Sequence, residues 1–213
     1  MKKSTLILLT LIMLMTAILL TSCGVDYTDE DLSAALEELL PKSYELNVVY
    51  FGEGLPKSED YELVEEFRDA MNIAVDVENM EYYPVSLDCG YINETELREA
   101  TLEVFSEDYS AFLFERAFTG ITTILNEGTE NEVKEVASFA RYIEEYGMLT
   151  VRDGLEKEAL PVDRRFDISG MTVQKKRKKY AIVTLPVEGN PSVTEEFRLV
   201  PTEAGWRLDG PTY

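Results

Sequence analysis

The sequence contains no histidine. That removes histidine–zinc sites, Ser–His and Cys–His nucleophile pairs, and the side chain that ordinarily acts as a general base near neutral pH. Cysteine is almost as scarce, with Cys23 and Cys89 the only two. Positive charge is in short supply as well. Only 20 Lys and Arg stand against 41 Asp and Glu, a formal charge of −21 over 213 residues. So acidic a chain repels nucleic acid and anionic lipid, and nucleic acid is not an expected partner. Long apolar runs are missing with one exception, and that exception opens the chain.

The run extends from Leu6 to Leu20, behind Lys2 and Lys3, and carries no charge from Ser4 to Ser22. A basic start, an apolar centre and small residues before a break form the pattern of an export signal. The break reads Leu20-Thr21-Ser22-Cys23-Gly24. This stretch resembles the lipobox of bacterial lipoproteins: an aliphatic residue, two small ones, then cysteine. The resemblance implies cleavage between Ser22 and Cys23 and a diacylglyceryl group on the Cys23 thiol. It also implies residence on the outer face of the cytoplasmic membrane. One acyl chain binds only marginally, whereas a pair holds stably. The competing reading is a retained anchor, because the uncharged run is about long enough to span a bilayer. Cleavage would remove two lysines and no acid, taking the charge from −21 to −23. With Cys23 lipidated, Cys89 would be the only thiol, so no intramolecular disulfide could form and stability would rest on packing.

After the leader (1–22) and a lipidated tether (23–28), residues 29–213 are long enough for one domain with a sizeable core. Periodicity predicts helices over 29–147 and strands over 148–213. Thr28 is a helix cap, and Leu32, Ala35, Leu36, Leu39 and Leu40 repeat on one face until Pro41 ends the helix. Leu46 to Phe51 reads as a strand and Gly52 to Pro56 as a turn. Glu59 to Met71 has mixed signals that favour a helix, and Tyr82 to Leu87 reads as a strand. Asn93 and Ser106 cap two further helices, the second ending near Gly120. Ile121 to Leu125 is ambiguous. Thr129 and Glu132 form a capping box for a long helix with Val133, Val136, Ala137, Ala140 and Ile143 on one face and Gly147 as its C-terminal cap. Met148 to Val151, Phe166 to Gln174, Tyr180 to Val187, Glu195 to Val200 and Trp206 to Leu208 read as strands. Helices followed by a strand meander predict an α+β fold, with helices packed on one face of an antiparallel sheet.

Few residues invite chemistry. Cys89 has no histidine, lysine or arginine nearby in sequence to lower its pKa, and reads as a small packed hydrophobe. Glu96, Glu99 and Glu103 share a helix face, without the loop pattern that holds calcium, and read as a solvated face. Gly52 and Gly54 do not form a phosphate loop, because no Gly-Lys-Ser/Thr follows. Lys175-Lys176-Arg177-Lys178-Lys179 is the only basic run. It reads either as a solvated hairpin end that keeps a sheet edge from pairing, or as a contact for an anionic envelope polymer or lipid headgroup.

Three stretches together resemble a group of uncharacterised lipoproteins of low-GC Gram-positive bacteria. They are the lipobox, Leu39-Leu40-Pro41-Lys42-Ser43 with Phe51 to Pro56, and the ending Gly205 to Tyr213. The order of helices and meander is similar to cystatin/NTF2-like folds, a curved antiparallel sheet with helices against one face. The resemblance implies no catalytic residues and no cofactor. The expected role is non-enzymatic binding of an envelope protein or a small ligand, with the membrane held through Cys23. Two alternatives stay open: an inhibitor or chaperone of cell-wall enzymes, and a pocket enzyme pairing a carboxylate base with a tyrosine.

Overall fold

The computed structural model describes residues 27–125, 128, 133–155 and 157–213. The chain is α+β. Helix α1 spans Asp29–Phe51, α2 Tyr61–Ala70, α3 Glu94–Val104 and α4 Glu107–Phe114. The strands are β1 (Tyr82–Pro84), β2 (Ile121–Leu125), β3 (Val133–Ser138), β4 (Tyr142–Glu145) and β5 (Met148–Arg152). After them come β6 (Thr172–Arg177), β7 (Tyr180–Val187), β8 (Asn190–Thr202) and β9 (Gly205–Leu208). They form an antiparallel sheet of order β6-β7-β8-β9, a second of order β1-β5-β4, and a ribbon of β2 with β3.

The four-stranded sheet is buried on one face. Ala181, Val183 and Leu185 alternate along β7, and Ala181 pairs with Leu199 and Val183 with Phe197 on β8. These side chains join Leu32, Leu36, Leu39 and Leu40 of α1 and Leu97 and Val104 of α3 in one core. A smaller cluster of Val64, Phe67, Met80 and Tyr83 seats α2 against β1. Period-two burial on the strands and a helical stripe on α1 are the two patterns that let a sheet and a helix cover each other.

Two expectations fail in α1. Pro41 does not end it, and Leu46 to Phe51 is helical rather than a strand. The buried stripe passes through the proline: Leu36, Leu40, Ser43, Leu46, Asn47 and Tyr50 continue the spacing of Leu32 and Leu36. Pro41 lies on the exposed side, where its missing N–H and ring leave the core packing intact. Buried area on the second half outweighs the helix cost of one proline and the strand preference of Val48 and Val49. The helix stops at Gly52, whose N–H reaches the carbonyls of Asn47 (3.2 Å) and Val48 (2.9 Å). A Cβ there would lie 2.8 Å from the Val48 oxygen, so the close approach requires glycine.

The helix expected over Val133 to Ile143 is instead β3 and β4. The capping box at Thr129 and Glu132 lies outside the described residues. β4 pairs with β5 through a two-residue turn at Tyr146 and Gly147, both with positive φ (53° and 74°). That is the geometry a tight hairpin demands, so Gly147 meets the same backbone need as a helix cap in a different element. Phe166 to Gln174 is also not one strand. Phe166 makes a single bridge to Val187, Ile168–Gly170 is a short 3₁₀ turn, and β6 starts at Thr172. Tyr180 to Val187, the strand at Trp206 to Leu208 and the caps at Asn93 and Ser106 occur as expected, whereas the strand expected over Glu195 to Val200 extends at both ends to Asn190–Thr202.

The distant ending Gly205 to Tyr213 meets the second half of α1, between Leu39 to Ser43 and Phe51 to Pro56, at one junction. Asn47 donates to the Thr212 hydroxyl (2.9 Å), which donates to Ser43 (2.8 Å), which donates to the Leu40 carbonyl (2.8 Å). Phe51 and Tyr213 meet edge to face, centroids 5.0 Å apart. Every member of the relay is buried, so each polar atom needs the partner it has.

Candidate functional site: the basic hairpin beside the start of the domain

Cys23 and Ser22 lie outside the described residues, which begin at Tyr27. From there the geometry is tightly specified. Thr28 caps α1 as expected, its hydroxyl accepting from the Asp31 N–H (3.1 Å) while the Asp31 carboxylate accepts from the Thr28 N–H (2.7 Å). The Thr28 N–H first, and then the Thr28 hydroxyl, which donates to the same carboxylate (3.0 Å), hold the Asp31 carboxyl below its ordinary pKa. The helix start is thereby locked, and Tyr27 is held just before it.

Tyr27 clamps the β6–β7 hairpin. Its hydroxyl accepts from the Arg177 N–H (3.1 Å) and lies 2.9 Å from the Arg177 carbonyl and 3.0 Å from that of Tyr180. A phenol has one proton, so one carbonyl receives it at a time. Its ring meets Trp206 of β9 edge to face at 4.7 Å. Asp29 adds an ion pair to Lys176 at 2.5 Å.

This divides the basic run. Lys175 and Lys176 are half-buried and engaged, Lys175 lying over the Tyr180 ring (5.3 Å) and Lys176 paired with Asp29. The hydrogen bond from Lys175 holds the Tyr180 hydroxyl below its ordinary pKa. Arg177, Lys178 and Lys179 are exposed at the hairpin tip. Among the described residues, no carboxylate forms an ion pair with any of these three. The run therefore is a hairpin end, and part of it is also a scaffold for the first residues of the domain. Beside it, a groove of about 470 Å³ runs between α1 and the β8–β9 turn, lined by Tyr27, Asp31, Ala35, Glu38, Trp206 and Arg207.

The other sequence candidates are structural. Cys89 is half-buried and its thiol donates to the Tyr91 carbonyl (3.1 Å). Glu96 accepts from the Ile92 N–H at the α3 start (2.9 Å), and no acidic cluster among the described residues could hold a metal ion. Gly54, at φ +81°, packs where a Cβ would meet Leu155 and the Tyr142 hydroxyl at 3.0 Å, so this glycine accommodates the fold. The buried polar side chains among the described residues are hydroxyls, the amide of Asn47 and the guanidinium of Arg141, with no carboxylate. No helix of the described residues is long and apolar enough to cross a membrane.

Sequence reading missed Arg116, Arg141 and Arg152, which line a separate cleft. They lie in no motif. The Arg152 N–H reaches the Arg141 carbonyl (2.9 Å) beside the β4–β5 hairpin, and the Arg141 N–H reaches the Ala117 carbonyl (2.7 Å), which brings in Arg116 from the helical turn after α4. Compared with known proteins, the chain matches no protein family, and no curated protein or solved structure resembles it significantly.

Proposed function

We propose that the chain is a lipoprotein anchored through Cys23 to the outer face of the cytoplasmic membrane, and that it binds an envelope component without catalysing a reaction. The observation that carries this reading is the clamp of the basic hairpin by Tyr27 and Asp29. Cys23 precedes Tyr27 by four residues, a reach of at most about 14 Å for extended chain. A lipid on Cys23 would thus hold the Arg177-Lys178-Lys179 tip within about a Debye length or two of the headgroups. Each such cation contributes about 1 kcal/mol of attraction to an anionic surface. The tip offsets, on the tethered side, the repulsion expected of a chain with charge −23 after cleavage. A four-stranded antiparallel meander at the end of the chain, covered on one face by α1 and α3, supports kinship with cystatin/NTF2-like folds, although β1 lies among the helices and β2 to β5 come between them and the meander. The departure is a sheet–helix interface filled by Leu32, Leu36, Val183 and Leu185 rather than opened as a pocket.

The test is fractionation of cells grown with an alkyne fatty acid. The wild-type chain should take up label and sediment with membranes, and Cys23→Ser should do neither. An unlabelled wild type, or a Cys23→Ser protein that remains membrane-bound, overturns the anchor. The lipid-free protein then reports on the tip alone. Its salt-sensitive binding to phosphatidylglycerol vesicles should be lost when Arg177, Lys178 and Lys179 are replaced by serine.

A further inference from the structure

A second recess, of about 720 Å³, lies between the turn that follows α4 and the ends of β4 and β5. Its walls include Arg116, Phe139, Arg141, Arg152, Lys157 and Glu158. In a chain with half as many cations as acids, such a concentration of positive charge needs a partner. The pairing around the cleft is almost complete. Arg116 forms a two-point fork with Glu158 (3.1 and 2.6 Å). Arg152 pairs with Glu81 (3.2 Å) and lies over the Phe139 ring (3.9 Å). Lys157 pairs with Asp163 (2.9 Å), and Asp153 is taken by Lys57 at the neighbouring rim.

Arg141 is left over. It is the most buried cation among the described residues, 6% exposed, and none of the described carboxylates forms an ion pair with it. Its Nη2 donates to the Gly52 carbonyl (2.6 Å) at the end of α1, so the helix terminus offers about half a unit of negative charge. Its Nε is buried without a hydrogen-bond partner. A guanidinium with an uncompensated charge in a low-dielectric site is costly, and the usual remedy is an anion. A planar guanidinium fork also matches the oxygens of carboxylate and phosphate.

We propose that this cleft is a binding site for a small oxyanion-bearing ligand, with Arg141 as the buried positive anchor and Arg152 and Lys157 on the rim. The ligand supplies the negative charge that no described carboxylate provides. Phe139, 51% exposed beneath Arg152, gives an apolar surface for the body of a ligand whose acidic group reaches inward. The inference stands whether or not Cys23 carries a lipid.

The experiment is thermal unfolding and calorimetric titration of the full-length chain in non-ionic detergent. Inorganic phosphate and citrate are the separate probes, and chloride holds ionic strength constant. A ligand that binds only the folded state raises the unfolding temperature by mass action. One saturable site is expected, for phosphate, for citrate or for both, and the more effective probe identifies the acidic group. Arg141→Met should weaken binding at least about tenfold and flatten the rise in unfolding temperature. Because Arg141 also caps α1, Arg152→Gln provides a second reading and should weaken binding severalfold in a chain whose helix cap is untouched. Replacing Lys178 and Lys179 by serine should change nothing. The proposal fails if neither probe binds saturably. It also fails if Arg152→Gln binds like wild type while the hairpin variant loses binding, since the anion then belongs to the hairpin.

Discussion

Tyr142 shows how one side chain joins three elements. It is fully buried, donates to the Val49 carbonyl of α1 (2.8 Å) and accepts from the Leu55 N–H beyond it (2.9 Å). Tyr142→Phe keeps the ring and leaves both backbone groups without this partner, at a cost of about 1–3 kcal/mol. Burial pushes the Tyr142 hydroxyl up to about 12, and Tyr50 is raised by burial in the same way. In the unfolded chain a tyrosine ionises near pH 10. A phenol held neutral by the fold therefore contributes fully below about pH 10, and the contribution is lost as pH rises towards 12. Urea unfolding followed by tyrosinate absorbance should show stability falling over that window, less steeply in Tyr142→Phe. An equal slope in the two proteins would contradict this assignment. Arg141, next to Tyr142, illustrates the opposite case: its place in the chain suggested nothing, and its burial without a carboxylate makes it chemically interesting.

At the scale of the element, α1 is the instructive case. Its buried stripe continues through Pro41 to Tyr50, but the polar Ser43 and Asn47 interrupt the apolar pattern there, so only their burial against the rest of the fold reveals the continuation. A proline is a strong local stop signal, but its cost of about 3 kcal/mol is smaller than the burial of several large side chains. Replacing the exposed Pro41 by alanine restores the N–H bond within the helix, so Pro41→Ala should stabilise the protein by about 1–3 kcal/mol. The midpoint of a chemical denaturation curve, with its slope unchanged, measures this. A destabilised variant would mean that the relay through Ser43 and Leu40 depends on the proline's local geometry. The segment from Val133 to Ile143 errs in the other direction. Its apolar residues fit a helical period, and β-branched residues within it fit a strand. Pairing of β3 with β2, and of β4 with β5 across Tyr146 and Gly147, decides between them.

At the scale of the molecule, the C-terminal residues close the fold. Thr212 is fully buried against Asn47 and Ser43, and Tyr213 packs on Phe51. Ending the chain at Gly210 strands the Asn47 amide on α1, takes from Ser43 the donor it accepts from and removes an aromatic contact. The expected loss is about 3 kcal/mol or more, read as a lower unfolding temperature and faster amide exchange along α1. Unchanged exchange in α1 would show that the helix is held by the sheet alone. The same whole-molecule view separates two charged regions. The hairpin tip lies beside the start of the domain, and the arginine cleft lies where β4 and β5 meet the turn after α4.

Local signals in the sequence determined a good deal. The caps at Thr28, Asn93 and Ser106, the alternation along β7, the hairpin carrying the basic run and the α+β class were all legible. Each depends on residues within about two turns or one strand of each other, where sequence neighbours are also spatial neighbours. Tertiary structure alone decided the length of α1, the strands in place of the Val133 to Ile143 helix, the clamp of Tyr27 on Arg177 and Tyr180, and the cleft around Arg141. Those outcomes depend on partners up to about 150 residues away. Burial and pairing energies between distant segments exceed the local preferences that sequence periodicity can report.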